Sequence, residues 1–169
     1  IDGESVGPDD NQSYGVLSDE IYNLTNQVQT VSYTFKPLIK DPRGDGSLEE
    51  CDTGTDTTIV ITINPTPILS VDIPEAIYCD SSDVVITVTD DLINSTGTNA
   101  YHLTRIYNGS NVVIEGESPG MENNQVYGAF TDQVRNLTDA VQTITYRFKP
   151  VILDPRGDGS LAECNTGKD

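Results

Sequence analysis

The segment Asp41-Pro-Arg-Gly-Asp-Gly-Ser-Leu-Glu-Glu-Cys-Asp52 gathers side chains that could do chemistry. Its spacing resembles a calcium loop. Asp41, Asp45, Gly46, Ser47, Glu49 and Asp52 fall near positions 1, 5, 6, 7, 9 and 12 of the EF-hand, where oxygen ligands surround a hard cation. Arg43 stands at position 3 and would repel the ion. The segment returns further on, where positions 9 and 12 become Ala162 and Asn165, so Asp154 and Asp158 keep only neutral helpers. The same loop spells Arg43-Gly-Asp45 and Arg156-Gly-Asp158, the tripeptide that integrins recognise. A third reading leads the other two: Pro and Gly close a long turn, and Asp and Ser satisfy its backbone. No cofactor is expected unless this loop holds calcium.

The three cysteines are the other reactive groups. Cys51 and Cys164 are equivalent positions of the repeat, and Cys79 stands ahead of an early strand. The natural pair is Cys79 with Cys164, and Cys51 would pair outside this stretch. An oxidised pair implies export. A zinc site is the rival reading, as are free thiols, but two cysteines per module and one histidine in the chain fall short of a zinc set. That histidine, His102, is expected to face solvent from a strand. No nucleophile stands beside a base, no phosphate loop is present, and no carboxylate pair is singled out. The expectation is a protein that is not an enzyme.

In the chain that carries these residues, one property dominates. Residues 1–56 return without a gap as residues 114–169, an offset of 113. A unit that long is domain-sized, and tandem copies suit a stalk, filament or adhesin. Period-two alternation then sets the local structure. Ile59, Ile61 and Ile63 share one face, as do Val84, Ile86 and Val88. Val31, Tyr33 and Phe35 share another, copied by Ile144, Tyr146 and Phe148. Asn108-Gly-Ser-Asn111 reads as a hairpin between Tyr101–Tyr107 and Val112–Glu115. No helical segment stands out, and Ser18–Leu24 with its copy Thr131–Leu137 is the weakest stretch of the strand reading. The class is all-β, as tandem immunoglobulin-type sandwiches.

Asn64-Pro-Thr-Pro67 comes directly after a strand and stops its ladder, so it is taken as the linker. Residues 1–64 are then the C-terminal half of one module. Residues 65–169 are a second module, expected to lack its final strand here because the copy of Thr58–Ile63 would lie beyond Asp169. The formal charge of −18, from 27 acidic and 9 basic residues, disfavours nucleic acid and anionic lipid as partners. No apolar run reaches the roughly 18–20 residues of a membrane span. Five Asn-x-Ser/Thr sequons start at Asn11, Asn23, Asn94, Asn108 and Asn136.

Leu24-Thr-Asn-Gln-Val-Gln-Thr-Val-Ser-Tyr-Thr-Phe-Lys-Pro37, a loop bearing Cys51-x-x-Gly54, and Asp56-Thr-Thr-Ile-Val-Ile-Thr-Ile-Asn-Pro-Thr-Pro67 together resemble PKD-like modules. Such modules occur in very large Bacteroidota cell-surface proteins, including gliding-motility adhesins exported by the type IX secretion system. Ile77-Tyr-Cys-Asp80 matches the cysteine that opens them. The long acidic insertion before the second cysteine departs from the pattern. The resemblance implies PKD/immunoglobulin-like sandwiches strung along the outer surface, with neighbouring modules as partners and no catalytic residues. It agrees with the Cys79–Cys164 pair. Asp56-Thr57-Thr58 also fits the O-glycosylation pattern of these bacteria, with Thr57 as acceptor. The function expected is an adhesive stalk. The alternatives are a module that binds surface polysaccharide or calcium, and an accessory domain of a secreted hydrolase.

Overall fold

The computed structural model describes residues 12–47, 49–116 and 120–164, all in strands, turns and irregular segments, with no helix among them. It divides into two units, Gln29–Ile63 and the remainder, so Asn64 groups with the residues C-terminal to it. Residues 12–28 also group with the second unit rather than with the first half-module. Within that unit Ile93 N–H donates to the carbonyl of Asn26 at 3.3 Å.

The smaller unit is one hairpin in two parts. β1 (Gln29–Phe35) pairs antiparallel with β4 (Thr57–Ile63), from Gln29↔Ile63 to Phe35↔Thr57. β2 (Ile39–Lys40) pairs with β3 (Glu50–Cys51). The stretch between Cys51 and Thr57 is two residues longer than the stretch it faces between Phe35 and Ile39, so the ladder steps. Pro37 occupies the step, where no ladder needs its missing N–H. Gly54 lies against it: a Cβ there would come within 2.5 Å of the Pro37 ring. A two-stranded ribbon cannot bury its own apolar face. Ile59 and Phe35 accordingly remain 46% exposed.

The larger unit holds two four-stranded antiparallel sheets over a shared core. The first has the order β5-β6-β10-β8: β5 (Leu69–Asp72), β6 (Ser82–Asp90), β10 (Gly128–Asn136) and β8 (Val112–Ile114). The second has the order β12-β11-β7-β9: β12 (Glu163–Cys164), β11 (Thr145–Leu153), β7 (Thr98–Ile106) and β9 (Gly120–Gln125). Val84, Ile86, Val88, Ile114 and Val134 from one sheet meet Tyr101, Leu103 and Phe148 from the other. These are the alternating positions that the period-two pattern selects. Each fully buried aliphatic side chain stabilises by about 1.5–3 kcal/mol. The rings of Tyr101 and Phe148 lie 5.7 Å apart, tilted, and Phe130 lies 6.4 Å from Phe148.

Two expectations change. The Asn108–Asn111 turn does not make a hairpin. β8 lies in the sheet of β10, because both edges of β7 are already taken, by β11 and β9. The turn therefore carries the chain from one sheet to the other. Thr131–Asn136 is strand, while its copy Ser18–Asn23 is not. β6 and β8 pair with β10. Among the described residues Ser18–Asn23 makes no such pairs.

Other segments fold alike in both copies. Asp41 and Asp154 have φ of 46° and 47°, Gly44 and Gly157 of 68° and 66°, and Gly46 and Gly159 of 78° and 77°. The Asn-Leu-Thr turns match as well. Asn23 Nδ2 donates to the Gln27 carbonyl at 2.7 Å and Asn136 Nδ2 to the Ala140 carbonyl at 2.8 Å. In both, the threonine amide donates to the asparagine Oδ1 at 3.0 Å. Side chains bonding their own backbone fix such turns without tertiary help.

Gly97 packs just ahead of β7 against the end of β11. Its φ is +92°, and a Cβ would stand 2.4 Å from the Leu153 carbonyl oxygen. Gly97→Ala is expected to lower unfolding free energy by roughly 3 kcal/mol or more, from backbone strain plus collision. Gly116→Ala, with positive φ but open space, should cost about 1–2 kcal/mol. Chemical denaturation of the two variants checks the order.

Candidate functional site

The strongest polar constellation of the larger unit is inside the sandwich. β7 alternates Tyr101, Leu103 and Arg105 toward the core, and β10 brings Asp132 to the same level. Arg105 and Asp132 are each 4% exposed. The guanidinium donates from Nε to Asp132 Oδ2 at 2.8 Å and from Nη2 to Oδ1 at 3.0 Å. Nη1 donates to Glu122 Oε1 on β9. The Phe130 ring stacks 5.6 Å from the guanidinium carbon. One cation thus links both sheets through two carboxylates, in the bidentate geometry that arginine favours. Burial works to lower the arginine pKa, but Asp132 and Glu122 raise it more. Beside the pair, burial first and the Asp132 charge next hold the Tyr146 phenol well above its ordinary value. Its oxygen has no hydrogen-bond partner among the described residues. Burial, then Asp90 and Asp91, push Tyr127 up to about 12. A cavity of about 210 Å³ opens over this cluster between Glu122, Gln125 and Thr131. Two carboxylates already occupy the guanidinium that lines it. The arrangement is a clamp.

A second polar knot sits where the chain enters the larger unit. Asn64 Oδ1 accepts from the Thr96 amide at 2.8 Å, and Asn64 Nδ2 donates to Thr96 Oγ1 at 2.7 Å. Thr96 Oγ1 donates in turn to the Pro155 carbonyl at 2.7 Å. Pro65 and Pro67 are fully buried. The Pro-rich joint is therefore seated in the larger unit at this end, as a docked element rather than a free linker.

The carboxylates of the predicted calcium loop turn onto their own backbone. Asp41 Oδ1 and Oδ2 accept from the amides of Asp45 and Gly46, each at 3.0 Å, and Asp45 Oδ1 accepts from Ser47 at 2.9 Å. Asp154 and Asp158 repeat all three bonds with Asp158, Gly159 and Ser160. The Ser47 and Ser160 donors hold Asp45 and Asp158 below the usual carboxylate range. Asp52 turns instead to Lys36, 3.0 Å away. Among the described residues no group of three or more His, Cys, Asp or Glu is arranged to hold a metal. Of the Arg-Gly-Asp copies, Arg43 pairs with Glu49 at 2.6 Å, and the copy has Ala162 at that place.

Cys79 and Cys164 are not brought together. Cys164 pairs with Ile152, Ile152 with Asn99, and Asn99 Nδ2 bonds Asp90 Oδ2 at 2.6 Å, which places Cys164 at the last residue of β6. Cys79 precedes the first. The length of a nine-residue strand separates them, roughly 25 Å at the usual rise, against the roughly 4–7 Å between Cα atoms that a disulfide needs. No two of the three cysteines are bonded to each other within this chain. His102 is also not solvent-facing. Its side chain is 13% exposed, with Nδ1 accepting from the Asn124 amide at 3.3 Å and Nε2 3.3 Å from Glu163. Thr57 is exposed at the start of β4. Glycans on Asn23 and Asn136 would displace the turn bonds that their amides make.

Sequence reading missed Arg105, Asp132 and Asn64. The signal for Arg105 was available: it falls on the inward parity of a strand, where a charge demands a buried counter-ion. No family model matches the chain, and no curated protein or solved structure matches it either.

Arg105→Met strands a buried carboxylate and should cost about 3–5 kcal/mol, whereas Arg105→Met with Asp132→Leu should recover most of that loss. Denaturant unfolding of the single and double variants reads the difference. The tyrosines give a pH signature. Tyr101, Tyr127 and Tyr146 have folded pKa values raised above the ordinary 10.0, so their contribution is full below pH 10 and is lost as pH climbs through the folded values. Ultraviolet titration of tyrosinate should show these three ionising only as the sandwich unfolds.

Proposed function

We propose that this chain is a structural, adhesive repeat region of a large bacterial cell-surface adhesin or filament, an extended stalk serving surface adhesion or gliding motility. The observation that carries the reading is the gapless return of residues 1–56 at an offset of 113. Strand order supports the module type. With β5 to β8 as strands A to D and β10 to β12 as E to G, the sheets read A-B-E-D and G-F-C, the arrangement of immunoglobulin-type sandwiches. β9 is then an additional strand beside C. The resemblance to PKD-like modules supplies the exported, Bacteroidota-type setting. Neighbouring modules are the first partners, surface polysaccharide the second, and neither nucleic acid nor membrane insertion is part of the reading.

Physical features suit a stalk. Long antiparallel ladders resist extension, and the buried clamp holds the two sheets of one module against each other. The Asn64–Pro67 joint is seated in the module that it opens. The net charge of −18 keeps neighbouring fibres apart. Antibody raised against this chain should label intact cells of its source, and Fab fragments should reduce attachment or gliding. Label that reaches the chain only after permeabilisation sinks the proposal.

A further inference from the structure

The acidic loop recurs with one backbone and with two different surroundings for its arginine. In both copies the aspartate before the proline closes the loop on itself. Gly44 N–H donates to the Asp41 carbonyl at 3.0 Å, and Gly157 N–H to the Asp154 carbonyl at 2.9 Å. The Asp154 side chain also takes the amides of Asp158 and Gly159, as Asp41 takes those of Asp45 and Gly46. One residue therefore holds the tripeptide Arg156-Gly157-Asp158 in place, and Gly157, at φ 66°, makes the bend between its two charged side chains. Arg156, Gly157 and Asp158 are all exposed, as are Arg43, Gly44 and Asp45. The copies differ at the guanidinium. Arg43 Nη1 is paired with Glu49 at 2.6 Å. Ala162 stands at the equivalent place, and no ion pair of Arg156 occurs among the described residues. The Ser160 donors, with the Arg156 charge adding to them, hold Asp158 below the usual carboxylate range, so it is ionised at neutral pH.

We infer that Arg156-Gly157-Asp158 is a docking site for a receptor of integrin type, one whose pocket offers a carboxylate to the guanidinium and a bound divalent cation to the aspartate. The two ends of the tripeptide fit such a pocket. A guanidinium without a carboxylate partner presents its whole fork for bidentate pairing. An ionised carboxylate is the ligand that a hard divalent cation takes from a protein. Asp158 already accepts the Ser160 amide at 2.9 Å through Oδ1, and a carboxylate has about four acceptor positions, so capacity for a cation remains. The loop is fixed by its own bonds before any partner arrives, which lowers the ordering cost of binding. In the first copy Arg43 must leave Glu49 before it can engage. Exposed ion pairs are weak, so that copy is expected to bind several-fold less tightly. The inference gives the adhesive reading a class of receptor, but it is measured on purified protein, so the two can fail separately.

The test is binding of the purified full chain to a purified ectodomain of an Arg-Gly-Asp-recognising integrin on a surface biosensor, in Mg2+ and again with a chelator. The wild-type chain should bind in Mg2+, and the signal should vanish with chelator or with excess of a short linear Arg-Gly-Asp peptide. Asp45→Glu should leave the affinity nearly unchanged. Asp158→Glu, which keeps the charge and moves it by one methylene, should lower the affinity several-fold, to that of the first copy. The two changes together should weaken binding roughly tenfold or more, the worth of a bond to a charged group. Ala162→Glu supplies the partner that Arg43 has and should lower the affinity several-fold. A wild-type chain that does not bind overturns the inference. So does binding that survives the chelator or the double change, or an equal loss from Asp45→Glu and Asp158→Glu.

Discussion

Two charged side chains buried between the sheets constrain the larger unit more than any other contact. Arg105 and Asp132 come from opposite sheets, and each is almost wholly withdrawn from water. Buried charges are tolerated only when paired with good geometry. The sheets can therefore approach in one relative position, the one that aligns guanidinium with carboxylate. The apolar core alone is less demanding, since aliphatic faces accept small slips. The clamp places Phe130 over the guanidinium, with Tyr146 beside the pair. It also draws Glu122 of β9 to the rim. A ligand would have to compete with two carboxylates for the one cation there, which is why the cluster reads as mechanical.

The two ends of the sandwich have different tasks. At one end Asn64, Thr96 and Pro155 seat the entering chain, and Gly97 passes against the backbone of Leu153 and Asp154 with no room for a side chain. Cys164 lies near this end and Cys79 near the other. The expected staple fails for a topological reason: the strand that Cys79 introduces runs its whole length away from it before reaching the level of Cys164. Cysteine counting identifies equivalent positions in a repeat. It does not say at which end of a strand each one stands.

Much of the fold was legible because its rules are local or periodic. Inward positions of β6 and β11 came from alternation, since successive strand residues face opposite sides. The acidic loop and the Asn-Leu-Thr turns take the same conformation in both copies, because their side chains bond their own backbone. The calcium-like spacing was visible for the same reason, and in the structure those carboxylates face the amides of their own loop. Arg105 was visible as a letter and missed as a partner. Its counter-ion lies 27 positions away in sequence, on a strand of the other sheet, and no spacing rule connects them.

By itself the sequence determined the repeat and its period, the all-β class, the faces of the strands and the form of the short turns, because each depends on residues near one another or on exact recurrence. Tertiary structure decided which edges pair and which ends meet. It made Thr131–Asn136 a strand and left the equivalent Ser18–Asn23 without one, sent the Asn108–Asn111 turn across the sandwich, and kept Cys79 from Cys164. The physical reason is common to all of these. A strand's backbone bonds are satisfied by whichever distant edge is free, and the availability of an edge is a property of the assembled sheets.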